Sequence, residues 1–436
     1  MMSKKTATAV ILSLAIGAAS FPGAASGQLP SASTAALATA NNYTALARGF
    51  TAIALNPAGL AMPGNPGFSL SFPAFPVEAR AGLNALTVSD INAVEGLALP
   101  DSTRDAWLTS VIAEEGLTAR AGIAVTEFAL SVGPVGFQIS TVAQADAMIA
   151  PDAFELAMYG NAGRTGTTRD MTLEGTAVNG WAATTAALAF GFPLPDVQGG
   201  TFAAGATLKY TLGHVVVTGG EDGTSVIRTN PFMLDLSLPS IAPDSFTVNN
   251  FTVNNGTGVG LDLGVAWEDS IWAFTASNQN VFHTFQWNLD AHAYRPGELI
   301  VDGTSVSDDY DAVPATTAPG VLQNSVLAQS FDPVLILGAA YRVSEKLAVT
   351  GDLRKDTGDA LVHGAGSHIG MGVEFRGLSF MPLRGGFSRV SGGAVHFAAG
   401  LGLELGPVHF SGAYLTEKNA AGEFRAASFA LSFAHN

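Results

Sequence analysis

The chain has 436 residues, of which 47% are hydrophobic and only 13% are charged, and it contains no cysteine. Soluble domains usually carry about 25% charged residues, so this composition argues against an ordinary soluble protein. The lack of cysteine excludes disulfides, thiolate metal sites and a lipidated N-terminal cysteine. The formal charge of −16 argues against nucleic-acid binding, which requires basic patches.

The first residues have the pattern of an export signal. Lys4 and Lys5 form a short basic region, the run from Ala7 to Ala19 is apolar, and small residues follow up to Ala25-Ser26-Gly27. The apolar run is too short for a membrane anchor, so we expect a cleaved signal peptide over residues 1–27. The sequence therefore predicts an exported bacterial protein.

The strand pattern is clearest in the C-terminal half. From His368 to Arg376 and from Val395 to Leu405, every second residue is apolar, and the residues between them are small, polar or charged. This alternation is typical of a transmembrane barrel strand, which is apolar outside and polar inside. No run after the signal is long enough for a spanning helix, so a closed barrel is the main way to satisfy backbone groups in lipid. A large soluble β-solenoid or sandwich is the alternative.

Short and long connections alternate from a first strand near Gly67–Phe75 to a last strand at Phe424–Ala434. Short links join strand pairs at Gly133-Pro134, Glu268-Asp269-Ser270, Ser344-Glu345-Lys346 and Gly406-Pro407. Outer-membrane barrels have short periplasmic turns, longer outer loops and an even strand number. We therefore predict an all-β transmembrane antiparallel barrel of about fourteen strands over residues 67–436. The count changes by two, depending on whether Phe154–Tyr159 and Phe232–Leu238 belong to loops.

The long connections contain three distinctive features. Ser102–Glu115 has the spacing of an amphipathic helix, with Trp107, Leu108, Val111 and Ile112 on its apolar face, and it either caps the barrel mouth or packs against other loops. The tandem Phe246–Asn250 and Phe251–Asn255 indicates a small duplication. Asp302 and the run Asp308-Asp309-Tyr310-Asp311 offer oxygen ligands for calcium, but they lack the spacing of a dedicated loop, which favours a solvated acidic loop.

Residues 28–66 precede the first strand and lack its pattern. The stretch Ser31–Ala40 is rich in small residues and predicts weak helix. Asn56-Pro57 then begins a turn, and Gly59 permits an unusual backbone angle. This segment has few charges, so we expect it to plug the barrel lumen as a hatch. The alternative, a disordered periplasmic leader, is disfavoured because the composition is too apolar.

The stretch Ala47-Arg48-Gly49-Phe50, followed by Ala54-Leu55-Asn56-Pro57-Ala58-Gly59-Leu60-Ala61, resembles the N-terminal hatch of the FadL/TodX-type channel superfamily. The Gly-rich C-terminal strands and Pro382–Phe387 are similar to it as well. The resemblance implies a fourteen-stranded barrel, occluded by its hatch, that carries hydrophobic molecules across the outer membrane. The hatch residues that it implies are Arg48, Phe50, Asn56, Pro57 and Gly59. Many outer-membrane barrels end on an aromatic residue that the barrel assembly machinery reads, and here Phe433 lies three residues from Asn436, so we expect this machinery and membrane lipids as partners.

A set of charged residues falls on the predicted lumen face of neighbouring C-terminal strands. They are Asp352, Arg354, Glu374, Arg376, Arg384 and Glu404. Interleaved carboxylates and guanidiniums neutralise one another and can hold a hatch by charge-assisted hydrogen bonds. We favour this anchoring role over the alternative, a polar passage.

Channel, enzyme and scaffold are the competing functions. The eight histidines are scattered, and neither the Gly-x-Ser-x-Gly nor the His-Glu-x-x-His pattern occurs, so we predict no catalytic residue, cofactor or metal. The predicted function is uptake of small hydrophobic molecules, fatty-acid-like or aromatic, through an outer-membrane channel gated by the hatch. The alternative is a FadL-like scaffold or shuttle in outer-membrane protein secretion, with no solute transport.

Overall fold

The computed structural model of the protein describes residues 29–31, 33–160, 162–229, 232–244, 255–302, 305–356, 367–390, 394–418 and 422–435. The signal peptide predicted over residues 1–27 lies outside these residues, as does the tandem repeat except for Asn255. None of the helices in the described ranges is long and apolar enough to span a membrane.

Fourteen antiparallel strands close into one barrel, which confirms the fold and strand number predicted from the connections. Strand β1 has two halves, and each half pairs with β14 on one side and β2 on the other. The strands are β1 (Phe68–Ser71 and Val77–Leu83), β2 (Leu117–Val132), β3 (Val135–Ile149), β4 (Ala177–Val197), β5 (Gly200–Gly220), β6 (Gly256–Glu268), β7 (Trp272–His283), β8 (Val334–Ser344), β9 (Leu347–Asp356), β10 (Ser367–Phe375), β11 (Leu383–Val390), β12 (Val395–Leu405), β13 (Val408–Lys418) and β14 (Glu423–His435).

The first strand differs from the prediction, because it stops at Ser71 and resumes at Val77. Pro73 and Pro76 fall in this gap, and proline has no N–H to donate to a ladder. The residues between the two halves remain attached to the wall, because the Ala74 N–H donates to a β2 carbonyl at 3.3 Å. The barrel therefore closes around an interruption in one strand.

The predicted alternation is confirmed in β10. Ile369 and Met371 are 62% and 59% exposed on the outside, whereas His368 and Glu374 are buried on the lumen side. Aromatic rings stack around the short β6–β7 turn, where the Trp272 ring lies 4.6 Å from that of Tyr341 and 5.6 Å from that of Phe274. Aromatic girdles mark both membrane interfaces of transmembrane barrels, so these rings mark one edge of the apolar band, at the end of the barrel that has the short turns.

The described ranges contain short helices in the N-terminal segment and in the long connections. They are α1 (Thr34–Ala38), α2 (Ala52–Leu55), α3 (Val88–Asn92), α4 (Asp101–Ala113), α5 (Pro151–Tyr159) and α6 (Gly320–Leu327). The helix predicted at Ser102–Glu115 is confirmed as α4, in which Trp107 and Leu108 are buried. Ile112 was expected on the same face but is 51% exposed.

Neither of the two ambiguous segments adds a wall strand. Residues 154–159 belong to α5, and Phe232–Ser237 lies in a separate four-stranded loop sheet.

Arg169 holds the connection after α5 through a bidentate ion pair with Asp152, with N–O distances of 2.5 and 2.9 Å. These hydrogen bonds lower the pKa of Asp152.

The loop sheet consists of Val226–Thr229, Phe232–Ser237, Glu298–Asp302 and Ser305–Asp309. Four shorter strands lie near the barrel rim: Ser240–Pro243, Gln286–Trp287, His292–Arg295 and Val313–Pro314. In the loop sheet, Asp302 pairs with Ser305, whereas Asp308 pairs with Leu299, three residues away along the hairpin. The described residues contain no group of three acidic or histidine side chains that could hold a metal ion.

Candidate functional site

The N-terminal segment, residues 29–66, lies inside the barrel. Helix α1 contacts β11–β14, and three 3-10 turns contact the other walls. The turn Thr44–Leu46 meets β7–β9, Gly49–Thr51 meets β1–β3, and Pro57–Ala61 meets β4–β6. Asn42 completes the circuit at β10, where its Oδ1 lies 3.2 Å from His368 Nε2. The segment thus crosses the lumen and reaches every strand.

Glycines in the wall make room for this segment. A Cβ added at Gly386 would overlap the Thr39 backbone, and one at Gly264 would overlap the Asn56 side chain. A Cβ at Gly136 would lie 2.6 Å from Cγ1 of Ile53. These glycines bring wall and segment closer than any side chain would permit.

The Asn56-Pro57 turn is fixed on both sides. The Asn56 Oδ1 accepts from the Ala58 N–H at 3.0 Å, and its Nδ2 donates to the Val265 carbonyl of β6 at 3.0 Å. Pro57 occupies the first position of the 3-10 turn, where its fixed φ is favourable and no N–H is needed. One side chain therefore caps the turn and attaches it to the wall.

The reason for glycine at position 59 differs from the predicted one. Gly59 is not among the described residues with a positive φ. A Cβ at this position would instead lie 2.5 Å from the Ala47 carbonyl oxygen. The requirement is for close approach of two backbone stretches of the segment, not for an unusual backbone angle.

Phe50 belongs to an apolar cluster between the segment and the wall. It packs with Ile53 and Leu60 of the segment and with Ala129 and Ala187 of β2 and β4. Phe50 is 8% exposed, and Ile53 is fully buried. Burial of such side chains contributes about 1.5–3 kcal/mol each. This cluster is the main apolar anchor of the segment.

Arg48 forms an ion pair that the sequence analysis missed. Its guanidinium contacts Glu268 at the end of β6, and Arg342 of β8 contacts the other carboxylate oxygen. Arg48 also donates to the Pro63 carbonyl at 2.9 Å. Glu268 had been assigned to a turn, but β6 continues to this residue. The alternation along β6 was the available signal, because Glu268 falls on the same face as Gly264.

The six predicted lumen charges divide into two groups. Glu374 lies 2.7 Å from both Arg376 and Arg384, and Arg376 lies 3.1 Å from Glu404. This network contacts the segment through Tyr43, whose hydroxyl donates to Glu374 at 3.3 Å. Four predicted charges therefore gather at the end of the barrel that has the short turns.

Asp352 lies apart from this network and binds the segment directly. Its Oδ2 accepts from the N–H groups of Tyr43 and Thr44 at 3.1 Å each, and from the Thr44 hydroxyl at 2.7 Å. Asp352 is 4% exposed. Arg354 lines, with Asp352 and His368, a cavity of about 60 Å³ beside the segment. The predicted charges thus form two separate attachments.

Three neighbouring lumen residues have the order of a hydrolase triad. Ser388 Oγ lies 3.2 Å from His396 Nδ1, and His396 Nε2 lies 3.0 Å from Glu417 Oε2. These positions are adjacent on β11, β12 and β13. Ser388 is completely buried, however, and a nucleophile requires access to its substrate. The geometry therefore supports a wall contact and not catalysis.

The lumen on the side of the long connections is apolar and aromatic. The β7–β8 connection places Phe285, Trp287 and Phe331 inside the barrel against Trp181 of β4. Ring centroids are 5.8 Å apart for Trp181–Phe331 and 4.9 Å for Phe285–Phe331. Edge-to-face pairs of this kind stabilise a buried aromatic cluster.

Fold and lumen together define a fourteen-stranded transmembrane barrel whose interior is occupied by its own N-terminal segment. Residues 61–410 match the model of a family of unknown function, DUF5723, and the chain belongs to that family. No curated protein matches the chain in sequence.

Solved structures with this fold are similar over nearly the whole chain. The Ralstonia pickettii toluene transporter TbuX has a TM-score of 0.50 at 13% identity, covering 94% of this chain and 99% of that one. The deltaS2 mutant of the monoaromatic hydrocarbon channel TodX has a TM-score of 0.50 at 12% identity, covering 89% and 94%. At these identities the likeness establishes the fold, and it confirms the superfamily resemblance at that level.

Proposed function

We propose that this protein is an outer-membrane channel for uptake of small hydrophobic molecules, with residues 28–66 as its hatch. The observation that carries the proposal is a single segment that crosses the lumen and reaches every strand, next to an aromatic interior. A scaffold needs neither an apolar interior nor a removable plug. Monoaromatic hydrocarbons are suitable first probes, because TbuX is a toluene transporter and TodX a monoaromatic hydrocarbon channel.

In this proposal each hatch residue has a distinct role. Phe50 holds the hatch by apolar contact, whereas Arg48 holds it by an ion pair. Asn56, Pro57 and Gly59 form the compact turn against β4–β6. Asp352 and the Glu374 network hold the Tyr43–Thr44 region on the opposite wall and give no polar passage.

The export of the chain and its insertion also belong to the proposal. The signal peptide delivers the chain to the periplasm, and the barrel assembly machinery inserts it into the outer membrane. Strand β14 provides an aromatic residue near its end, Phe433, whose ring lies 5.9 Å from that of Phe68. Membrane lipids then contact the apolar outer face.

A reversible crosslink tests the hatch. The hydroxyls of Thr34 in α1 and Ser411 in β13 are in contact, and the chain has no cysteine of its own. The double variant Thr34→Cys/Ser411→Cys therefore places two thiols at disulfide distance. Both positions line a cavity of about 470 Å³ that opens between the segment and the wall, where an oxidant can enter. Toluene uptake into proteoliposomes is measured before and after oxidation.

The matched control is a crosslink within the wall. Thr141 and Thr184 of β3 and β4 have hydroxyls 2.6 Å apart and are register partners. We expect oxidation to stop uptake in the hatch variant, reduction to restore it, and neither treatment to affect Thr141→Cys/Thr184→Cys. Uptake that continues through the crosslinked hatch would contradict gating by displacement. A lack of uptake in every form, together with a co-purifying protein partner, would favour the secretion scaffold.

A further inference from the structure

Two basic side chains on the outside of the barrel have no ionic partner among the described residues. Lys355 is the next-to-last residue of β9, and Arg389 is the next-to-last residue of β11. Both are exposed, and both lie at the end of the barrel that has the long connections. Each continues an outward-facing apolar row, which contains Leu353 in β9 and Phe387 in β11. These cations therefore lie just beyond the apolar band, at the outer membrane interface.

A shallow groove of about 380 Å³ runs along the outer wall next to these cations. Its sides include Leu337, Leu353 and Ile369, all more than 40% exposed. Gly351 forms part of the floor, because it faces outward in β9 and has no side chain to fill the space. The groove is thus an apolar surface of the size of an acyl chain segment.

The groove and the cations are connected through strand register. Leu353 pairs with Ile369 on β10, and Ile369 pairs with Arg389 on β11, so one row joins the groove to the guanidinium. Lys355 lies one outward position beyond Leu353. Two strand spacings of about 4.8 Å and an offset of two residues place the Lys355 and Arg389 Cα atoms about 12 Å apart. Two long side chains at this distance can converge on one phosphate group.

We propose that this surface binds a phosphorylated lipid of the outer leaflet, with an acyl chain in the groove and a phosphate between Lys355 and Arg389. In a chain with 36 acidic and 20 basic residues, most of the surface repels an anion, so two neighbouring exposed cations mark a place where one can bind. Guanidinium and ammonium groups at a membrane interface bind anionic headgroups. Free phosphate would leave the adjoining groove without an occupant. The surface lies outside the lumen, so this inference does not depend on solute transport.

Lipid retention by the intact barrel tests the proposal. The purified protein is titrated with diphosphorylated lipid A or with zwitterionic phosphatidylcholine, and bound lipid is counted by native mass spectrometry. The variant Lys355→Gln/Arg389→Gln should bind lipid A about 25-fold more weakly, since each interfacial cation contributes about a factor of five. Phosphatidylcholine binding should not change. Lys346→Gln removes an exposed cation from the β8–β9 turn at the opposite end of the barrel; it is the control for position and should bind like wild type.

A second variant tests the groove without changing charge. In Gly351→Leu, the Cβ meets only the Gly370 carbonyl oxygen at 3.3 Å, and the rest of the side chain fills the groove from outside. We expect weaker lipid A binding with an unchanged thermal unfolding temperature. Wild-type affinity in the Lys355/Arg389 variant would overturn the proposal, and so would displacement of lipid A by inorganic phosphate alone. Wild-type affinity in Gly351→Leu would overturn the placement of the acyl chain.

Discussion

Asp352 is the residue whose removal should loosen the hatch most selectively. Its carboxylate accepts three hydrogen bonds from Tyr43 and Thr44 and is 4% exposed. Hydrogen bonds to a charged group contribute about 1.5–3 kcal/mol each. Water can enter the space left by Asp352→Ala and replace some of the lost hydrogen bonds, so we expect a net loss of about 3 kcal/mol in local stability. A loss of that size corresponds to a roughly 100-fold larger open population.

Hydrogen exchange measures this opening at the affected groups. In Asp352→Ala, the amides of Tyr43 and Thr44 should exchange about 100-fold faster than in wild type, while the β-strand amides keep their protection. Glu404→Gln is the control, because Glu404 contacts Arg376 and makes no hydrogen bond to the segment among the described residues. Exchange at both amides within about threefold of wild type would refute the reasoning, since the carboxylate would then not restrain the segment.

Other perturbations give distinct results. Gly264→Ala should displace Asn56 and increase leakage of solute from proteoliposomes. Gly385→Ala should not, because the added Cβ would lie 3.8 Å from its nearest neighbouring atom. Equal leakage in the two variants would contradict the steric argument. Burial lowers the pKa of His292, so the folded β7–β8 connection should lose stability as the pH falls below about 6.5, and tryptophan quenching by acrylamide should rise. Asp152→Asn should speed tryptic cleavage after α5 about fivefold, corresponding to about 1 kcal/mol, and unchanged cleavage would mean that the ion pair does not restrain this loop.

The barrel could be predicted from the sequence because its signals are local. A transmembrane strand shows its period of two within ten residues, and a two-residue link such as Gly133-Pro134 leaves one possible partner. The exception at β1 follows from the same physics, because Pro73 and Pro76 interrupt the ladder. The inward course of the β7–β8 connection, which buries Phe285 and Trp287, was not predictable, since it depends on contacts with distant strands.

The residues of the lumen could be assigned to a face but not to partners. The alternation places Asp352 and Glu374 on the lumen side, yet it does not indicate which one meets the backbone of the segment. That depends on where Thr44 lies, which in turn is fixed by the closure of the whole barrel. Glu268 was not predicted as a lumen residue for a different reason. It is the last residue of its strand, and assigning it to the turn removed it from the residues expected to face the lumen.

The distribution of contacts indicates which part of the hatch should move first. Polar contacts such as those at Asp352 are partly replaced by hydrogen bonds to water when the segment moves away from the wall. The cluster around Phe50, Ile53 and Leu60 has no such substitute, since its exposure costs the full transfer free energy. We therefore expect residues before Arg48 to leave the wall while the Asn56-Pro57 turn stays in place. The proposed gating then needs only a local displacement, and the closed wall of strands remains intact throughout.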